Sequence, residues 1–170
     1  MTDDQRSTPR LDGYAAASEL ARVVVGQLLE TSDASRATVR LADAQGALQL
    51  VAEASAPGEP EMAAGPPIDP RTHETYRHLD QHRITLVQRD CRVAVPRPPD
   101  LLVRDYGVLA QIIAPVTVGH QMRGVISLHQ AARTRDWSER DVAAVELARR
   151  ALEAELAGIP APADQRLRDG

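Results

Sequence analysis

The sequence contains no lysine, no asparagine and no phenylalanine. All three residues have A/T-rich codons, so a G+C-rich bacterial genome accounts for the pattern. The 20 basic residues are therefore all arginine, and their number is no sign of nucleic-acid binding. Net formal charge is −4, and no long basic run occurs, so no nucleic-acid partner is expected. Aromatic side chains are confined to Tyr14, Tyr76, Tyr106 and Trp137, few for a site that stacks planar rings. The single cysteine, Cys91, has no partner for an internal disulfide. No apolar run reaches the length of a membrane span. The polar N-terminus lacks the apolar core of a secretion signal, which points to a cytoplasmic protein. Familiar catalytic signatures are missing as well: there is no G-x-S-x-G, P-loop, H-E-x-x-H or C-x-x-C.

What is present is enough for one domain. The chain has 170 residues, 43% of them hydrophobic, which allows a sizeable core. Residues 1–10 are expected to be disordered and 158–170 to form a flexible tail, with a single domain over 11–157. From Leu11 to Thr31, Leu20, Val24 and Leu28 recur at helical spacing, with Val23 filling the stripe and Val25 and Leu29 forming a second row. Ala37–Leu41 and Leu48–Ala54 read as a strand pair around the turn 43–46. Residues 55–67 are a Pro/Gly/Ala loop. Asp69-Pro70 looks like an N-cap with proline in the first turn, opening a helix to His82. Ile84–Val87 reads as a short strand, and 100–105 as a single helical turn. A final hairpin pairs Ile112–Val118 with Val125–His129 across a turn at 119–124. A helix then starts at Ser138, where Ser138 and Asp141 have capping-box spacing.

Strand, tight turn, strand, tryptophan loop and capped helix, in that order, resemble the C-terminal half of a GAF domain. The residues carrying the resemblance are Pro115, Gly119, Gly124 to Gln130, Arg135, Trp137 and the helix start Asp141 to Val145. The first half of the chain matches by element order only. The resemblance implies an α+β fold: a GAF/PAS-like antiparallel sheet of five to six strands, with helices 11–31 and 138–157 on one face. The segment 55–105 would cover the other face, with a ligand between that segment and the sheet. The string Leu128-His129-Gln130, then Arg135 and Trp137, is most similar to phytochrome-like GAF domains. Those attach a bilin through a cysteine about nine residues before the long strand. Here that spacing from Gly107 lands on Pro98, followed by Pro99, and neither can form a thioether. Cys91 lies outside the expected place, and the cofactor, if any, stays unidentified.

The resemblance and the residues together single out a small set of candidates. Arg104 and Tyr106 precede the long strand, where GAF domains often contact ligand, and Tyr106 could otherwise be a lid residue. Ser127 and His129 share one face of the last strand, facing either a cavity or the terminal helices; His129 could meet a ligand carbonyl or haem iron, or simply bond to a neighbour. Cys91 lies between Arg89 and Arg92, cations that would lower a thiol pKa, which makes it a candidate redox site. His78 and His82, one helical turn apart, are half of a metal site or a solvated helix face. Trp137 reads as a staple for the loop before the last helix. No metal site is expected.

The apolar strips of the two end helices exceed what one sheet face needs, so a homodimer through 11–31 and 138–157 is expected. No output domain is expected after Leu156. The reading is a free-standing, non-catalytic sensor that binds a small molecule or responds to redox state and signals through its end helices to a separate protein. Two alternatives stay open: a ligand-free scaffold or dimerisation module, and a redox enzyme working through Cys91.

Overall fold

The structure, a computed structural model, describes residues 9–62 and 65–160. The expectations for 1–8 and 161–170 lie outside the described residues. The elements run α1 (Pro9–Ser32), β1 (Arg36–Ala42), β2 (Leu48–Ser55), α2 (Glu74–His82), β3 (Leu86–Gln88), α3 (Asp100–Arg104), β4 (Val108–Val118), β5 (Gln121–Ala131) and α4 (Glu139–Ala157). All neighbouring strands pair antiparallel, in the order β2-β1-β5-β4-β3. This is the expected α+β architecture, with five strands.

Alternation divides each central strand between two cores. Ala37, Val39 and Leu41 of β1, Ile112, Ala114 and Val116 of β4, and Ile126 and Leu128 of β5 face α1 and α4. Ile113, Val125 and Leu48 face the other way and pack under Ile68, Tyr76 and Leu79. A third small cluster of Met62, Cys91, Leu102 and Val108 closes the roof beside them. β1 and β5 approach closely because position 124 is glycine: a Cβ there would lie 2.4 Å from the Arg40 carbonyl oxygen.

Several local readings need correction. The final hairpin turn is the two-residue Gly119-His120, since Val118 pairs with Gln121. Gly119 supplies the positive φ of 61° that so short a turn requires, and the residues 121–124 expected in the turn belong to β5. Asp69 does accept a hydrogen bond from the Arg71 amide at 3.0 Å, but Pro70–Thr72 form only a 3₁₀ turn. The chain is extended at His73, and α2 begins afresh at Glu74. Ile84 stands outside β3 and is exposed. On α1, Val23 is 53% exposed, because at 100° per residue it lies across the helix from the buried Ala21, Val25 and Leu28 row.

The capping box at α4 forms as read. Ser138 Oγ accepts from the Asp141 amide at 3.1 Å, and the Ser138 amide donates to Asp141 Oδ2 at 3.0 Å. α4 buries Val145, Ala148, Leu152 and Leu156, and packs on both the sheet and α1. Trp137 packs at the edge of this core and donates from Nε1 to the Gln88 carbonyl at 3.3 Å. Among the described residues, no helix is long and apolar enough to cross a membrane.

Candidate functional site

β1 reads Arg36-Ala-Thr-Val-Arg-Leu-Ala42, and its polar residues recur at every second position. On an edge strand that polar row would face water. Here β1 lies between β2 and β5, and a roof covers the row, so Arg36, Thr38 and Arg40 are all buried. Register sets Arg36 opposite His129 and Thr38 opposite Ser127 on β5, and Thr38 opposite Glu53 on β2. The result is a polar patch in the middle of the sheet, closed from above by Met62, Ile68, Tyr76, Pro99, Leu102 and Tyr106. Between them is a void of about 30 Å³, lined also by Arg40, Ser127 and His129. It has room for roughly two waters.

The two buried arginines are treated differently. Arg36 is fully buried and donates from Nε to Glu53 Oε1 at 3.1 Å and from Nη2 to the Pro60 carbonyl. Its guanidinium carbon lies 5.6 Å from the Tyr106 ring centroid. Glu53 in turn accepts from the Met62 amide at 2.9 Å, so this ion pair also pins the roof loop to the sheet. Arg36 Nη1 has no hydrogen-bond partner among the described residues. Arg40 makes one bond, from Nη1 to the Leu48 carbonyl at 3.3 Å, and no ion pair among the described residues. Burial holds its pKa below the usual guanidinium value, with Tyr76, Tyr106 and Glu53 opposing that shift. A buried charge without a partner is costly.

His129 lies across from Arg36. Burial, then the charges of Arg36 and Arg40, push its pKa down to about 3, so the imidazole is neutral. Its Nδ1 has no partner among the described residues. Burial pushes the Tyr76 hydroxyl pKa up, which keeps it a hydrogen-bond donor. The chamber therefore presents the Arg40 guanidinium with imidazole and hydroxyl groups, and the nearby Glu53 carboxylate is already committed to Arg36 and Met62.

Of the residues singled out from sequence, Tyr106, Ser127 and His129 meet around this void. Arg104 does not line it. Its exposed side chain pairs with Asp105 at 2.7 Å. Arg36, Thr38, Arg40, Glu53 and Tyr76 escaped the sequence reading. The alternating Arg-x-Thr-x-Arg of β1 was the available signal, but a polar face on a strand normally signifies solvent.

The expectation of an acidic thiol at Cys91 is overturned. Cys91 is buried with Met62, Leu102 and Val108, and burial, reinforced by Asp90, pushes its pKa up to about 12. The flanking cations are spent elsewhere: Arg92 pairs with Asp90 at 2.7 Å and Arg89 with Asp136 at 2.9 Å. The rings of His78 and His82 do meet, with centroids 4.3 Å apart. Among the described residues, however, no group of three His, Cys, Asp or Glu could hold a metal ion.

A larger open groove of about 560 Å³ lies between the two hairpin turns, the 3₁₀ turn at 70–72 and the C-terminal end of α2. Its arginines are engaged: Arg71 with Asp69 at 2.8 Å, Arg83 with the His120 carbonyl, and Arg123 with the Ile159 and Pro160 carbonyls at 3.4 Å. A bilin or haem does not fit the chamber under the roof. Drug-sized ligands occupy cavities of roughly 300–1,000 Å³, and the bilin-attachment position holds the buried Pro98.

Known structures place these features in context. The blue-light absorbing form of the Thermosynechococcus elongatus PixJ GAF domain superposes with a TM-score of 0.69 at 21% identity, covering 86% of this chain and 90% of that one. The chromophore-binding domain of the Stigmatella aurantiaca bacteriophytochrome gives 0.66 at 18% identity, over 92% of this chain and 64% of that one. A methyl-accepting chemotaxis protein, residues 122 to 287, gives 0.66 at 18% identity, over 82% and 88%. At such identities the likeness concerns the fold. No curated protein matches the sequence significantly. The GAF domain profile, by contrast, matches residues 17–156, from α1 through β5 to the end of α4. With that match over most of its length and the sheet order just described, the chain belongs to the GAF domain family.

Proposed function

We propose that the protein is a non-catalytic sensory GAF domain that binds a small molecule beneath its roof and signals through α1 and α4 to a separate protein. The observation that carries this reading is the state of the chamber. Arg40, buried without an ion pair among the described residues, and the unpartnered Nδ1 of His129 border one void. Among the described residues these groups are left unsatisfied, and a ligand would satisfy them. The sensory role is further supported by the neighbours, which include a photoreceptor domain and part of a chemotaxis protein.

The route outward is short. Ser127 and His129 alternate on β5 with Ile126 and Leu128, which pack in the core under α1 and α4. The Thr117 amide and hydroxyl donate to Glu153 of α4 at 2.8 and 3.0 Å. A ligand that moves β5 changes what both helices rest on, and differential affinity for two helix packings shifts their populations. Val23 and Leu147, exposed on α1 and α4, are suited to a homodimer that reads the shift. The test is a thermal-shift screen of metabolites, followed by hydrogen exchange of α1 and α4 with any hit. Stabilisation together with altered protection in both helices supports the reading, and stabilisation without it removes the signalling half.

The size of the void favours a second reading, a scaffold with a filled cavity. In that case no compound stabilises the protein, and Ser127→Leu leaves assembly unchanged. A Cys91-based redox role has the least support, given the raised thiol pKa. Cys91→Ser removes it if behaviour under oxidant stays the same.

A further inference from the structure

We propose that the ligand taken by this chamber is a small carboxylate, held by Arg40 with His129 beside it. The inference rests on the sensor reading above and adds the chemical class. The groups facing the void decide it. Arg36 spends its charge on Glu53, so the net positive charge left under the roof belongs to Arg40. A guanidinium has five N–H donors, and Arg40 uses one, in a long bond of 3.3 Å. A cation entering here would meet the Arg40 guanidinium. A neutral apolar molecule would leave Arg40 buried without a counter-charge. A planar oxyanion accepts two parallel N–H bonds from the arginine fork. Hydroxyls of Thr38, Ser127 and Tyr76 border the same void and can each turn a hydrogen toward an oxygen.

Volume sets the size. About 30 Å³ admits a group of roughly two water volumes, which matches a carboxylate head. Nitrate and hydrogencarbonate share the planar oxyanion chemistry and are distinguished by experiment.

The test uses the full chain. Formate, acetate, nitrate and hydrogencarbonate are titrated by calorimetry and by thermal shift at constant ionic strength, with chloride and sulfate as controls. Saturable binding of formate or acetate, weakened at least about thirtyfold by Arg40→Gln and unaffected by Arg104→Gln, supports the proposal. The Arg40→Gln protein should melt at or above the wild-type temperature without ligand, because it no longer buries an unpaired charge; this guards against loss of binding through unfolding. Binding of nitrate or hydrogencarbonate alone overturns the carboxylate assignment. A neutral or cationic hit that Arg40→Gln binds equally well overturns the oxyanion chemistry and leaves the sensor reading standing. If no compound of any charge binds, both fail.

Discussion

The Arg135 guanidinium lies over Trp137, its carbon 4.4 Å from the ring centroid. The same side chain donates to the Ser32 carbonyl at 2.6 Å, the Asp33 carbonyl at 3.2 Å, Gln130 Oε1 at 3.0 Å and Asp141 Oδ2 at 3.2 Å. One arginine thus ties the end of α1, the end of β5 and the cap of α4. Arg135→Ala should cost about 2–3 kcal/mol in urea unfolding, from charged hydrogen bonds lost at a largely buried site. Arg135→Lys should recover less than half of that, since an ammonium neither forks nor stacks in the same way. Equal stability of all three proteins would show that the clamp contributes nothing.

Gly124 sits where β1 and β5 come closest. Gly124→Ala places a methyl group against the Arg40 backbone and the Leu41 side chain, neither of which can withdraw from the sheet. A loss of about 1–3 kcal/mol is expected. Because the strain falls at Arg40, ligand affinity should fall along with stability. The midpoint of denaturation and the titration above measure the two effects.

The buried His129 makes stability depend on pH in a defined direction. Its ordinary pKa is 6.5 and its folded value about 3. Between those values the unfolded chain binds a proton that the folded chain refuses, so stability is full above about pH 6.5 and declines as pH falls toward 3. The slope from this one group is roughly 1 kcal/mol per pH unit. Asp90, held down to about 2 by Arg92, adds a loss of the same sign only below the ordinary carboxylate range. Denaturation at a series of pH values should show the decline starting above pH 5, and His129→Gln should flatten that upper part. A flat wild-type profile between pH 4.5 and 7 would contradict the buried neutral imidazole.

Cys91 should react slowly. With its pKa at about 12 and its side chain in the Met62–Leu102–Val108 cluster, little thiolate exists at neutral pH and little of it is accessible. Alkylation in native buffer should be far slower than in denaturant. Rapid native labelling would restore the redox candidate.

The hairpin and capped helix at the C-terminal end were legible because local chemistry dictates them. Gly119 marks the turn, although its two-residue length was set by the strand register; Ser138 and Asp141 satisfy the free amides of a helix start, and an alternating run needs one buried face. The Leu128 to Trp137 string was readable as a family resemblance, but its structural work was not. The bonds of Arg135 run to Ser32 and Asp33, about a hundred positions away, and no local pattern reveals them. Arg92 misled for the complementary reason. Nearness in sequence to Cys91 suggested a field at the sulfur, whereas its side chain turned to Asp90.

The sequence by itself determined the order of the elements, GAF-like as it is, and the parity of the faces along β5, both of which follow from periodicities of two and 3.6 residues and from turn and cap residues. Only the tertiary structure decided that β1 is interior. Its neighbours β2 and β5 and the roof loop turn an ordinary polar strand face into a closed chamber around Arg40 and His129. Alternation tells which side chains share a face. It does not tell whether water or protein lies on that face, and the pairing of distant strands supplies the difference.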